Sequence, residues 1–342
     1  MSKVVVLGAA HPHVFDMAAA VAGAEGAELV GVWDEDASRR GAASQQLGVE
    51  AIDSLDRALA MEPSLVLCGA VPCDRAGLAR RAIEVGAAAL VDKPLAVTHQ
   101  ELDETIKAVE HFGRPVITFY PYRGEPFIQA AKAALDAGHI GKIVRVMSCG
   151  PHKLQPDTRP AWHWTRRHNG GCMIDVGSHH ADICCWLADQ GPDWISSIHV
   201  NISQPAYPEF QDFAQAQLRF PNGAVAHVEA DWLTPCSMQH FGDTRTWIQG
   251  TTGKIEVRLG DERSGYLWTA ELPQQTLDTS PYPGLEAWTT QLIEDLCAQR
   301  SGAIDQVDVW RASRVSLCAF DSAQEGGRGV RLECGSRRET LP

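Results

Sequence analysis

Short apolar runs alternate with segments of helical length along the first third of the chain. The apolar runs predict strands at residues 3–7, 28–33, 64–68, 87–91 and 115–119. The segments between them predict helices at residues 13–22, 37–47, 74–85 and 100–112. Strands that are apolar along their whole length are typical of a parallel sheet covered by helices on both faces, with right-handed crossovers. We therefore expect an α/β fold that begins with a doubly wound parallel sheet, at residues 1–120.

The pattern changes in the remainder, residues 121–342, where predicted strands follow one another directly. These strands lie at residues 142–148, 195–202, 212–220, 224–232, 246–249 and 254–259, with helices at 127–137, 285–300 and 307–325. Pro221-Asn222-Gly223 is typical of a hairpin turn between two of them. We expect a second, α+β domain with a large, open, mainly antiparallel sheet, whose exposed face would serve a homodimer or homotetramer.

The charge balance limits the partners. The chain has 30 Lys and Arg against 43 Asp and Glu, for a formal net charge of −13. A protein this acidic has no general attraction to nucleic acid or to an anionic membrane surface. Its apolar runs are also too short to cross a bilayer, and its first residues do not resemble a signal peptide. We expect a cytoplasmic protein whose ten cysteines are reduced and mostly buried.

The segment Gly8–His13 lies between the first predicted strand and the first helix. A dinucleotide's pyrophosphate binds at this place in a doubly wound sheet, on free N–H groups at the start of the helix. Only the first glycine of a GxGxxG motif is present. Asp34, at the end of the second strand, would bind ribose hydroxyls and favour NAD over NADP, a preference that Arg39 and Arg40 would weaken. Alternatively, Gly8 is an ordinary turn residue and Asp34 a helix N-cap.

His11 and His13 are also spaced as a metal-binding pair would be. No acid or cysteine follows at a recognisable ligand spacing, so we predict no metal site. Histidines at a helix N-terminus would instead contact phosphate or substrate.

Asp92-Lys93-Pro94 directly follows the fourth predicted strand. The carboxyl ends of strands in a doubly wound sheet open onto the ligand crevice, so Lys93 should face it. The alternative is a solvated surface lysine.

A dense polar cluster occupies residues 169–182, where two glycines precede Asp175 and His179. On one helix these two residues would be four apart and would share a face. A carboxylate that orients an imidazole suits acid–base chemistry near pH 7. The alternative is a core histidine held by an acid.

The sequence resembles the glucose–fructose oxidoreductase, inositol dehydrogenase and MocA (Gfo/Idh/MocA) family. Asn169–Asp182 is similar to the family signature GGGxLxDxGxHxxD, and Asp92-Lys93-Pro94 to its Glu-Lys-Pro. Residues 140–144 and 249–253 are similar to two further family segments, so the resemblance covers nearly the whole chain. It departs from the family in the missing loop glycines, in Asp92 for Glu, and in Pro121-Tyr122-Arg123, where Asn-x-Arg is common.

The resemblance implies an NAD(P)-binding Rossmann domain at residues 1–120 and a substrate-binding and oligomerisation domain at 121–342. It implies hydride transfer between NAD and a hydroxyl or carbonyl of a sugar, cyclitol or related polyol. The alternatives are NAD-assisted glycoside cleavage or elimination with the cofactor recycled, and a non-catalytic nucleotide-binding regulator.

Site residues follow from the same resemblance and from position. Those expected to be catalytic are Lys93, Asp175 and His179, with His179 as general acid or base, Lys93 on the reacting oxygen and Asp175 orienting the substrate. Those expected to bind the cofactor are Gly8, Ala10, His11, His13, Asp34 and Lys93. Those expected to bind substrate are Tyr122, Arg123, Trp162, His163, Trp164 and His180. Trp162 and Trp164 are equally compatible with core or interface packing.

Overall fold

The computed structural model describes residues 1–300 and 302–332, and the chain divides into two compact units. The first comprises residues 1–124 and 283–310, and the second residues 125–282 and 311–342. Within the described residues, no helix combines the length and apolar character that crossing a bilayer requires.

The first unit contains a parallel sheet. Its strands are β1 (Ser2–Ala9), β2 (Ala27–Trp33), β3 (Glu50–Ala51), β4 (Leu65–Gly69), β5 (Ala88–Asp92) and β6 (Val116–Phe119). Its helices up to residue 124 are α1 (His13–Val21), α2 (Ala37–Leu47), α3 (Leu55–Ala60), α4 (Pro72–Glu84) and α5 (His99–Phe112). The order β3-β2-β1-β4-β5-β6, with every pair parallel, confirms the predicted doubly wound sheet.

Full burial of the central strands explains their composition. Val4–Leu7 of β1 and Leu65–Cys68 of β4 have no exposed surface. Because helices cover both faces of the sheet, neither side of these strands contacts water. Their sequences are therefore continuous apolar runs. Strand β3 has only two residues, Glu50 and Ala51, and both are exposed, so the sequence contained no apolar run that would predict it.

The second unit contains a nine-stranded sheet. Its elements up to residue 282 are α6 (Pro126–Asp136), β7 (Ile143–Pro151), α7 (Arg166–Asn169), α8 (Cys172–Asp175), α9 (Gly177–Ala188), β8 (Trp194–Val200), β9 (Phe213–Arg219), β10 (Val225–Asp231), β11 (Thr244–Gly250), β12 (Gly253–Leu259), β13 (Arg263–Thr269) and β14 (Gln275–Thr276). The helices α10 (Leu285–Cys297) and α11 (Gln306–Gln324) and the strand β15 (Val330–Arg331) complete the described chain.

The order of this sheet is β14-β13-β12-β11-β7-β10-β9-β8-β15. Only β7 and β10 pair in parallel among its described strands, so the predicted mainly antiparallel sheet is confirmed. Helix α9 packs on β7 and β10 and covers one face there.

Residues 283–310 belong to the first unit, whereas the sequence interpretation placed them in the second domain. Trp288 packs near Phe119, with ring centres 6.4 Å apart. Arg123 and Asp308, both buried, form an ion pair of 3.0 Å. These contacts join positions far apart in the sequence, which local composition does not reveal.

Nine cysteines are described, and none of them forms a disulfide. Five of them are buried, as expected for small core residues. Cys334 lies outside the described residues.

Candidate active site

The turn after β1 requires glycine at Gly8. Its φ is +80°, and a Cβ atom there would collide with Ala70. The left-handed backbone conformation disfavours any residue other than glycine. The close approach of Ala70, which follows β4, leaves no space for a side chain. The first glycine of the predicted dinucleotide loop therefore has the local geometry that such a loop needs.

The backbone N–H groups of this loop are largely used within the protein. The N–H groups of Ala10 and His11 both donate to the Gly69 carbonyl, at 2.8 and 3.0 Å. That of Ala9 donates to the Asp34 carboxylate at 2.8 Å. The expectation that N–H groups near Gly8–His13 are free to hold an anion is therefore wrong for these three.

Asp34 is 2% exposed at the end of β2 and accepts several hydrogen bonds. Besides Ala9, its carboxylate accepts from the Asp36 N–H at 2.8 Å and from the Arg39 guanidinium at 2.9 Å. Arg40 donates to the Asp34 carbonyl at 2.8 Å. Both arginines thus contact Asp34, as the sequence suggested, while Asp36 rather than Asp34 caps α2.

A cavity of about 550 Å³ opens beside Gly8 and Asp34 in the first unit. Its apolar lining includes Trp33, Ala70 and Val71, and its charged lining includes Arg39. This volume is within the range of small-molecule sites, about 300–1,000 Å³, and it is where a nucleoside binds in a doubly wound sheet. The residues present fit the adenosine part of a dinucleotide.

Four ionisable side chains form a cluster at this loop, with Asp92 and Arg75 buried and His11 and His13 partly exposed. The carboxylate of Asp92, at the end of β5, lies 2.9 Å from His11 Nδ1, 2.8 Å from His13 Nδ1 and 2.8 Å from an Arg75 nitrogen. Burial would raise the pKa of Asp92, but the cations and imidazoles around it hold that pKa well below its usual range. Burial lowers the pKa of His11 to about 4, outweighing the attraction of Asp92.

The cluster corrects one premise of the sequence interpretation. His11, His13 and Asp92 could hold a metal ion by the proximity of their ligand atoms, so an acid does accompany the two histidines. It comes from 79 residues further along the chain, where no spacing rule would find it. The ion pair with Arg75 already supplies the positive charge that Asp92 needs.

Lys93 is only 3% exposed, immediately after β5. Its backbone carbonyl accepts a hydrogen bond from Arg75. The alternative of a solvated surface lysine is therefore wrong.

In the second unit, Asp175 and His179 do not share one continuous helix. Asp175 ends α8, Val176 intervenes, and α9 begins at Gly177. The turn before α8 contains Gly170 and Gly171, both with φ of +90°. Asp175 is 7% exposed and accepts a hydrogen bond of 2.9 Å from the Asn169 amide.

His179 is buried and packs against a residue that the sequence analysis missed. Its ring is stacked on His152, with centres 6.4 Å apart and planes 24° apart. His152 in turn packs edge-on against Trp232 and Phe241. Its only sequence signal is its position directly after β7.

Asp231 is a second residue missed by sequence reasoning. It ends β10, and its carbonyl accepts from the His152 N–H at 2.9 Å. Burial raises the pKa of Asp231 to about 6, although its hydrogen bond from Leu233 acts in the opposite direction. This carboxyl group therefore exchanges its proton at a higher pH than an ordinary aspartate.

Three residues expected to bind substrate also have contacts with other side chains of the protein. His180 has no exposed surface, contacts Ser148 Oγ at 2.7 Å and occupies the space above Gly150. Trp164 is stacked on Tyr207, with centres 4.0 Å apart. Arg123 is committed to its ion pair with Asp308 in the first unit.

His163, Tyr122 and Trp162 differ in accessibility. His163 is 2% exposed and lies among aromatic rings, including Trp232 at 5.0 Å. Tyr122 and Trp162 are half-buried, so part of each side chain is accessible.

Comparison with known proteins gives two matching family models. Residues 2–120 match the oxidoreductase family with an NAD-binding Rossmann fold, and residues 128–256 match the GFO/IDH/MocA C-terminal domain. Both models describe parts of the same family of oxidoreductases.

Individual relatives agree with these models. The chain is 25% identical to scyllo-inositol 2-dehydrogenase (NAD(+)) of Bacillus subtilis, over 68% of this chain and 66% of that enzyme. It is 32% identical to D-apiose dehydrogenase of Paraburkholderia graminis, over 68% of this chain and 61% of that enzyme. The matched parts thus span about two thirds or less of the length of these curated relatives.

A solved structure shares the whole fold. It is that of a candidate oxidoreductase from Erwinia carotovora atroseptica, 28% identical, with a TM-score of 0.86 over 94% of this chain and 99% of that one. With both family models matched in their expected order, the chain belongs to the Gfo/Idh/MocA oxidoreductase family.

Proposed function

We propose that this protein is an NAD-dependent oxidoreductase that acts on a hydroxyl or carbonyl group of a sugar, cyclitol or related polyol. The observation that carries the proposal is the burial of Lys93, Asp175 and His179, which are 3%, 7% and 2% exposed. Burying ionisable groups costs free energy, and active sites are among the places where proteins bury them.

The cofactor assignment is supported by the first unit. The conformation of Gly8, the carboxylate of Asp34 and the adjoining cavity fit a nucleoside with free ribose hydroxyls. A 2′-phosphate would meet the Asp34 charge, although Arg39 lies within reach to offset it. We therefore propose NAD as the preferred cofactor and NADP as the weaker one.

Each proposed catalytic group has one role. NAD, when bound, supplies the hydride acceptor. In the oxidative direction the His179 imidazole accepts the proton of the substrate hydroxyl, and the Lys93 ammonium stabilises the negative charge that develops on that oxygen. Asp175, fixed by Asn169, orients the substrate. In the reductive direction His179 donates the proton.

The assembly and location belong to the same proposal. The strands β8 and β10 leave Ile198, Val200 and Val225 exposed on the second unit's sheet. We propose a homodimer or homotetramer through this sheet, because exposed apolar side chains favour self-association. Free thiols favour a reducing compartment, and we propose the cytoplasm.

The test is a fluorescence titration with NAD and NADP, followed by a panel of sugars, cyclitols and polyols monitored at the NADH absorbance. We expect tighter binding of NAD, and about 10²–10⁴-fold lower turnover in His179→Ala with unchanged NAD affinity. His139→Ala is the matched control, because His139 is exposed. Product without NADH would indicate a recycled cofactor, and full turnover of His179→Ala would overturn the assigned role.

A further inference from the structure

Arg159, which follows β7 in the second unit, is held in one orientation. Its Nε donates to the Leu154 carbonyl at 2.7 Å, and a terminal nitrogen donates to the Lys153 carbonyl at 3.0 Å. The guanidinium also lies over the Trp232 ring, 4.6 Å from its centre. Within residues 1–300 and 302–332, these hydrogen bonds use Nε and one terminal nitrogen and leave the other terminal nitrogen without an acceptor.

The charge of Arg159 has no ionic partner among residues 1–300 and 302–332. No carboxylate in that part of the chain lies within 4.0 Å of it, whereas Arg219, Arg245 and Arg263 of the same unit each pair with one. Burial lowers the pKa of Arg159, and the charge of Asp175 offsets this only in part. A half-buried guanidinium with only neutral acceptors favours an external anion.

Arg159 lines a cavity of about 530 Å³ whose described lining residues all belong to the second unit. Trp164 and Tyr207 contribute aromatic surface, and Thr165 and Glu209 contribute polar groups. Aromatic faces suit the C–H surface of a sugar, and a carboxylate such as that of Glu209 accepts hydrogen bonds from hydroxyl groups. Glu209 repels any anion, but it repels a phosphate ester with two negative charges more strongly than a carboxylate with one.

The cavity's arginine is connected to the proposed acid–base residue through a short chain of rings. Arg159 lies over Trp232 and Phe241, and His152 packs edge-on against those same two rings. His152 is also stacked on His179. The charge of Asp175 acts on Arg159 as well, so Arg159 lies near the residues to which the proposed function assigns the substrate.

We propose, on the basis of the function proposed above, that Arg159 binds a carboxylate of the substrate. The substrate class is then a sugar acid or polyhydroxy acid with one negative charge, rather than a neutral sugar. Arg159 is a specificity-determining residue in this scheme and takes no part in proton or hydride transfer.

The test compares matched acid and neutral ligands on the full chain saturated with NAD. The pairs are D-gluconate with sorbitol, D-galactonate with galactitol, and D-glucuronate with D-glucose, each titrated by tryptophan fluorescence. We expect the acids to bind at least tenfold more tightly than their neutral partners in the wild type. Arg159→Gln should abolish that difference, and Arg159→Lys should keep part of it because a charge remains.

The controls separate this inference from the proposed function. Arg328→Gln makes the same change at an exposed arginine and should leave the preference for acids intact. An unchanged NAD affinity shows that each variant is folded. Equal or tighter binding of the neutral ligands, binding of no acid, or an acid preference that survives in Arg159→Gln would overturn the inference. Turnover of neutral polyols with NAD would then still support the proposed function.

Discussion

Buried charges in the two units differ in the kind of partner they contact. In the first unit, Asp92 is surrounded by Arg75, His11 and His13, and Asp34 is paired with Arg39. In the second unit, the described partners of Arg159 and of the buried Lys153 ammonium are backbone carbonyl groups. Internal pairing makes a charge part of the structure, whereas a cation with only neutral acceptors remains available to a ligand. Three predictions test this comparison, beginning with the largest expected effect.

The largest effect is expected for Asp92→Asn. The substitution leaves the Arg75 guanidinium, which is 1% exposed, without its carboxylate. Breaking a buried ion pair by removing one partner costs about 3–5 kcal/mol. The measurement is the free energy of unfolding from urea denaturation at pH 7.

Asp56→Asn is the matched control for this variant. Asp56 also accepts an arginine, Arg81 at 2.9 Å, but its side chain is 85% exposed. Exposed ion pairs contribute little to stability, so we expect almost no change. Equal losses in the two variants would show that the buried cluster has no special structural importance.

A pH dependence of stability is expected from His11. Burial lowers its pKa to about 4 in the folded protein, whereas in the unfolded chain it has its ordinary value of 6.5. Between these pH values the unfolded chain binds a proton that the folded protein does not, so stability falls as the pH drops from about 6.5 to about 4. At 1.36 kcal/mol for each pKa unit, the loss approaches about 3 kcal/mol.

His11→Asn should remove this contribution, because asparagine does not titrate. Urea denaturation at intervals between pH 7 and pH 4 would measure it, with the exposed His139→Asn as control. If wild type and His11→Asn lose stability in parallel, burial does not keep His11 neutral.

The sequence predicted most of what depends on local patterns. Every residue of the buried segment Val4–Leu7 is apolar, so the sequence itself indicates that this strand is buried. Gly8 follows it and has the positive φ that the strand–helix turn requires. The polar cluster at Asn169–Asp182 was also found, because its residues are close along the chain. Residues that are close along the chain are also close in space here, so local composition was enough to predict these features.

The features that sequence reasoning missed depend on distant partners. His11 and Asp92 are far apart in the chain, and the packing of His152 against His179 joins β7 to α9. The prediction that Asp175 and His179 share one helix failed for a local reason, since α8 ends at Asp175 and α9 begins at Gly177. Residues 283–310 were assigned to the other domain because composition does not show which sheet a helix covers.

The smallest effect, expected for Arg159→Met, is also the sharpest test of the difference between the units. Methionine keeps an apolar stem over Trp232 and removes a charge that has no described carboxylate partner. The loss of two hydrogen bonds is then offset by relief of the buried charge, so stability should change by no more than about 1 kcal/mol. Arg75→Met makes the same substitution at an arginine that is paired with the buried Asp92 carboxylate. Because it leaves that carboxylate without its partner, it should lower the free energy of unfolding by about 3–5 kcal/mol. Urea denaturation of both variants at pH 7 gives the two values side by side. If Arg159→Met were as destabilising as Arg75→Met, Arg159 would be a structural residue like Arg75, and the distinction between paired and available charges would not hold.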